Sequence, residues 1–170
     1  MTPISAIAPS RPGEIDQQLL DQQLAGHLRE VHVRLLQKVR GMLEIARRAD
    51  AGTWTRWSAI RYVNTAFSVR FERERAAVES LHQELEGSER TRLWAAAELI
   101  ATLRWQLDHL VGACHHAAEF ATVTLKLEGA IEHWCREVEA ALGQLAWGEV
   151  PEESRQLLVC IDDQENPHVT

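Results

Sequence analysis

Cysteine, lysine and long apolar runs are all scarce in this chain of 170 residues, and each scarcity removes a class of protein from consideration. The three cysteines, Cys114, Cys135 and Cys160, are an odd number with no CxxC spacing, which reads against a disulfide framework. Two of them fall at positions expected to be buried, so they read as small core hydrophobes in a reducing compartment. Nothing approaches the roughly eighteen consecutive apolar residues of a membrane span. The first thirteen residues lack the basic start and the apolar run of about seven or more that mark a secretory signal. The expected location is the cytoplasm, with no membrane partner. Also missing are GxGxxG, a Walker loop and GxSxG, so nucleotide-binding and hydrolase readings have no support.

Only Lys38 and Lys126 are lysines, and arginine carries the remaining positive charge. The net charge of −7 is uneven. Residues 1–13 contribute +1, residues 14–86 balance eleven basic against eleven acidic side chains, residues 87–146 contribute −3 and residues 147–170 contribute −5. A nonspecific phosphate-binding protein carries the opposite balance.

What is present is helical periodicity. From Leu93 to Leu145 one frame runs through Leu93, Ala96, Ile100, Leu103, Leu107, Leu110, Cys114, Ala117, Ala121, Thr124, Glu128, Ile131, Cys135, Val138, Leu142 and Leu145. This alternation of three and four is the a/d pattern of helices packed side by side. A parallel line at Leu99, Gln106, Ala113, Phe120, Leu127, Trp134 and Ala141 widens the stripe to the face a bundle helix buries. Upstream, Leu20, Leu24, Leu28, Val31, Leu35, Val39, Met42 and Ala46 predict a first helix from about Glu14 to Ala49, with Gly52 as its stop. A second helix is predicted from Thr55 or Ser58, either of which can cap it, to about Glu86; it buries Trp57, Ile60, Phe67, Phe71, Val78, Leu81 and Leu85. Asn64 and Glu74 stand in that frame as polar residues, which read as register-setting or partly exposed, with a functional buried polar site as the alternative.

A single helix from Ser88 to Ala146 would extend about 85 Å at 1.5 Å per residue, against roughly 50 Å for each earlier helix. A break is expected between Gly112 and Thr124, where Gly112, His115, His116 and the β-branched run Thr122-Val123-Thr124 occur together, with a single long helix shared with a second copy as the alternative that the unbroken frame leaves open. The expected fold is all-α: an up-and-down antiparallel helical bundle of three long helices, the third broken to give four. Residues 1–13 read as a mobile N-terminal tail, 14–148 as the bundle, and 149–170 as an acidic C-terminal segment whose Leu157, Leu158, Val159 and Ile161 could dock against it.

Bundles hold metals where carboxylates and imidazoles project into one core. The pairs His115/Glu119, His133/Glu137 and Glu79/His82 have suitable spacing. Glu79/His82 is one Glu-x-x-His where a di-iron site needs two, and the frame places the other pairs on the outer surface. Cys114, His115 and His116 are adjacent and diverge by about 100° on a helix, so they cannot close on one ion. No metal, cofactor or catalytic residue is assigned.

Interaction residues are better represented. Trp94 and Trp105 take outward positions, with His109 beside Trp105, and tryptophan is a preferred interface anchor. Arg47, Arg48, Arg56 and Arg61 cluster around the first turn with Trp54, a composition that can hold phosphates and stack on bases. The leading expectation is a non-catalytic interaction protein, an adaptor, accessory subunit or inhibitor, that self-associates or joins a protein partner through Trp94 and Trp105. The alternatives are an accessory subunit of a nucleoprotein complex using the Arg47–Arg61 end, and a metal-dependent bundle enzyme.

Overall fold

The computed structural model describes residues 12–48, 50–81, 85, 87–111, 117–143 and 150–151, with side chains from Gln22 onward except Val111. Four helices follow one another: α1 Pro12–Arg47, α2 Thr53–Ser80, α3 Gly87–Val111 and α4 Ala117–Gly143. The polar ties between them fix their directions. On α1, His32 meets Glu139 while Arg47 meets Glu128, so α4 descends as α1 rises. Glu137 on α4 meets Arg92 on α3, and Asn64 on α2 meets both Arg104 and Asp108 near the end of α3. The result is the antiparallel four-helix bundle that the periodicity predicts, and the third stretch does divide. Helix α3 ends at Val111 and α4 begins at Ala117, while Thr122-Val123-Thr124 remains helical within α4.

The core follows the spacing rule with local shifts of phase. Leu93, Ala96, Ile100, Leu103 and Leu107 on α3 and Thr124, Ile131, Cys135, Val138 and Leu142 on α4 are buried, as are Phe120, Leu127, Trp134 and Ala141 from the widening line. Leu99 belongs to that line too, yet it is exposed; α3 widens its buried face toward Ala97 instead. On α1 the inward series is Leu28, His32, Leu35, Val39, Leu43 and Ala46. Val31 and Met42, the expected seam residues, are partly exposed. Both choices satisfy a three-four alternation, and only the neighbouring helices decide which face wins.

Several boundary expectations are corrected. Pro12 and Gly13 open α1 instead of closing the tail, which suits proline's fixed φ and missing N–H at a first helical position. Gly52 is the N-cap of α2, extended at φ −71° and ψ 166°, and not the stop of α1. With Thr53 already helical, neither Thr55 nor Ser58 caps that helix, and Ser88 lies inside α3. Trp57 is exposed, not buried. The tail before Pro12, His82, Cys114 to His116 and the segment after Pro151 lie outside the described residues. Val150 does pack into the core.

Gly41 on α1 and Gly129 on α4 are exposed helix-interior glycines, and a Cβ added at either meets nothing within 4 Å. Each holds ordinary right-handed backbone, so alanine restricts the unfolded chain without a native clash. Gly41→Ala and Gly129→Ala are each expected to raise unfolding free energy by about 0.5–1 kcal/mol. Urea titration with an unchanged slope checks this.

Candidate functional site

Two features stand out from a generic bundle: a charged cluster in its interior and an aromatic groove on one side. The cluster is built on Glu74, whose side chain is 1% exposed. Its Oε1 accepts from His32 Nε2 at 2.8 Å and from Arg70 Nε one helical turn earlier on α2; its Oε2 accepts from Trp134 Nε1 at 2.8 Å. The other ring nitrogen of His32, Nδ1, donates to Glu139 Oε1 at 2.7 Å. Glu139 sits at the rim, where Arg29 Nε lies 3.5 Å away. Helices α1, α2 and α4 thus share one knot of two carboxylates, a guanidinium and an imidazole.

Burial alone would oppose charge on His32, and it is the largest single influence there. The hydrogen bond and negative charge of Glu74, joined by Glu139, outweigh it and raise the pKa above the usual 6.5, against opposition from Arg70. Burial likewise pushes Glu74 toward its neutral form, but His32, Arg70 and the Trp134 indole together hold its carboxyl below the usual 4.5. Glu74 therefore adds stability that is present above about pH 4.5 and is lost as pH falls through its lower folded value. Cys135 borders the cluster; burial first, then the charges of Glu74 and Glu139, raise its thiol pKa, so it stays protonated and unreactive. The two terminal nitrogens of Arg70 are buried without an acceptor among the described groups, so Glu74 is its anchor.

The groove lies between α2 and α3, which touch over fewer residues than any other adjacent pair of helices. Its upper part is lined by Trp57, Ile60, Arg61, Asn64 and Thr65 from α2 and Asp108 from α3. Asn64 bridges the gap, accepting from Arg104 Nε at 2.8 Å and donating to Asp108 at 3.3 Å. Farther along, Phe71, Glu72 and Arg75 face Trp94, Ala97, Glu98, Ala101 and Arg104. Trp94 is half-buried, with the Arg75 guanidinium 5.8 Å from its ring centre. Trp105 is 62% exposed and its ring contacts His109, whose Nδ1 donates to the Trp105 carbonyl at 2.7 Å. Trp105 lies one turn before Asp108, on the same side of α3.

The arginine-rich turn belongs to that same end of the bundle, but its side chains have separate tasks. Arg47 is tied to Glu128 at 3.1 Å, and Arg56 lies over the Phe120 ring at 5.4 Å with its Nε buried. Arg61 covers Trp57 at 5.1 Å, while Arg48 projects into solvent. Trp54, 74% exposed, stacks on Trp57 with ring centres 5.1 Å apart. Thus Trp54, Trp57 and Arg61 form one contiguous group on α2, Trp105 and His109 pair on α3, Trp94 lies apart from them beside Arg75, and Arg47 and Arg56 are turned to packing.

Of the metal-type pairs, Glu119 is exposed, and His133 lies 3.8 Å from Glu137, which also accepts from Arg92 at 2.8 Å. Among the described residues no group of three or more His, Cys, Asp or Glu is placed to hold a metal ion, and no described helix is long and apolar enough to cross a membrane. Comparison with protein-family models, with curated proteins and with solved structures found no match to this chain.

Proposed function

We propose that this chain is a non-catalytic helical interaction protein of the cytoplasm, an adaptor or accessory subunit that receives a helix of a protein partner in the α2–α3 groove. The observation that carries the reading is the presence of Trp57 and Trp94 in the lining of the loosely packed α2–α3 seam, with the exposed Trp105 one helical turn from the lining residue Asp108. Large aromatics at a solvent-facing cleft supply the contact area of an interface anchor, and an amphipathic helix is the element that fits between two helices. Charge narrows the partner. The groove is lined by Arg61, Arg75 and Arg104 against Glu72, Glu98 and Asp108, so it sets up no net field and suits a segment of mixed charge better than a polyanion. Nucleic acid is the second reading, resting on Arg48, Arg61 and the Trp54–Trp57 stack.

Photo-reactive side chains at Thr65 and Ala101, in the groove, are expected to crosslink a protein partner in cells; one at the exposed Glu30 of α1 serves as the control. With the crosslinked protein purified, Trp57→Ala and Trp105→Ala should each weaken binding roughly 30-fold, the effect of losing an interface hot spot of about 2 kcal/mol. Groove positions that capture no more than Glu30 refute the proposal. Crosslinks to a second copy redirect it to self-association, and RNA captured with a steep salt dependence favours the second reading.

A further inference from the structure

Both ring nitrogens of His32 meet carboxylates, and the two carboxylates come from different helices: Glu74 on α2 and Glu139 on α4. An ionised carboxylate can only accept, and a neutral imidazole carries a single N–H. The two contacts coexist only when the ring holds both protons. The geometry points to His32 as a protonation-controlled clamp: with two protons it ties α1 to both α2 and α4 at the knot, and with one it keeps the Glu74 contact and gives up the Glu139 contact, while Arg40 and Arg47 still hold α4 farther along.

Which contact survives follows from the surroundings. Glu74 is enclosed and meets Arg70 and Trp134 besides His32, so it cannot turn toward water. Glu139 is 23% exposed and has Arg29 of α1 beside it, so it can rotate outward and exchange the imidazole for water and guanidinium. The remaining proton therefore stays on Nε2, and an Nδ1 lone pair facing Glu139 is repulsive. The charged groups acting on His32 are Arg70 and Glu74 from α2 and Glu139 from α4, with Arg29 of α1 behind Glu139 and the protonated Cys135 thiol of α4 bordering the cluster; the imidazole, its pKa raised by the two carboxylates, is the member whose second proton decides the contacts. The folded-state pKa is raised, so the His32 contribution is complete below about pH 6.5 and fades as pH rises through the folded value. Alkaline conditions open the clamp; acid closes it.

Nitrogen-15 NMR of the full chain, labelled at histidine and titrated from about pH 5 to pH 9, tests the clamp, with His32 assigned by comparison with His32→Gln or, should that variant not fold, by the resonances that the Glu139→Gln substitution displaces. At pH 6.5 both His32 nitrogens should be protonated, and on titration Nδ1 should be the one to lose its proton. Amide exchange along residues 29–36 of α1, corrected for its intrinsic pH dependence, should rise roughly tenfold across the same midpoint, the loss of one charged hydrogen bond. Glu139→Gln, a rim substitution, should move the midpoint to lower pH and abolish the coupled change in exchange. A neutral ring at pH 6.5, an Nδ1–H tautomer at high pH, or exchange indifferent to the titration would each overturn the clamp.

Discussion

Replacing Glu74 by alanine is expected to lower the unfolding free energy by about 3–5 kcal/mol, which for a domain of this size means a melting temperature roughly 10 °C lower. The carboxylate is the common acceptor of His32, Arg70 and Trp134. Removing it leaves a guanidinium 5% exposed whose terminal nitrogens have no acceptor among the described residues, an indole N–H that has lost its acceptor, and an imidazole left with the Glu139 contact. Most of the loss is the desolvation cost of those orphans, not the net worth of the ion pairs. A second variant separates the two. His32→Leu/Arg70→Met/Glu74→Leu deletes more interactions but leaves fewer buried charges unpaired, so it should be less destabilised than Glu74→Ala. Urea unfolding of both decides the matter; a cost below about 1 kcal/mol for Glu74→Ala would show that water reaches the cluster freely.

Trp134→Ala is expected to cost about 3–5 kcal/mol, and Trp134→Phe about 1–3 kcal/mol. Trp134 is completely buried, packs against Phe71 with ring centres 4.8 Å apart and planes at 59°, and donates to Glu74. Alanine removes both the volume and the donor. Phenylalanine keeps most of the volume and the aromatic contact, so its cost isolates the hydrogen bond to Glu74. Thermal and urea unfolding of the pair check the order; equal losses would mean that packing alone matters at this position.

The bundle was legible from spacing because burial of one face is what α-helical periodicity encodes, and the third stretch's division was legible from its length against its neighbours. The charged cluster was only half legible. Glu74 stood out as an acid in a seam, but seam position alone does not separate a paired buried carboxylate from an exposed one. Its partner His32 escaped notice because 28-31-35 and 28-32-35 are equally good helical frames, and the chain takes the second. The signal that existed was Arg70 one turn before Glu74, a charge pair within a stretch that otherwise buries Phe67, Phe71, Ala77 and Val78. The meeting of Trp57 on α2 with Asp108 on α3 across the groove was not legible at all, because these residues sit on two helices whose relative rotation depends on packing.

The uneven spacing of the four helices has a mechanical consequence. Three of the four joints around the bundle are firm: α1–α2 and α1–α4 share the interior knot, α1–α4 also carries the Arg40 ties to Glu128 and Glu132, and α3–α4 is closely packed. The fourth is spanned by the amide of Asn64. A ring with one compliant joint deforms by widening there while the others hold their geometry, so a slight tilt of α3 with α4 as its hinge would adjust the gap to guests of different girth at little cost to the interior.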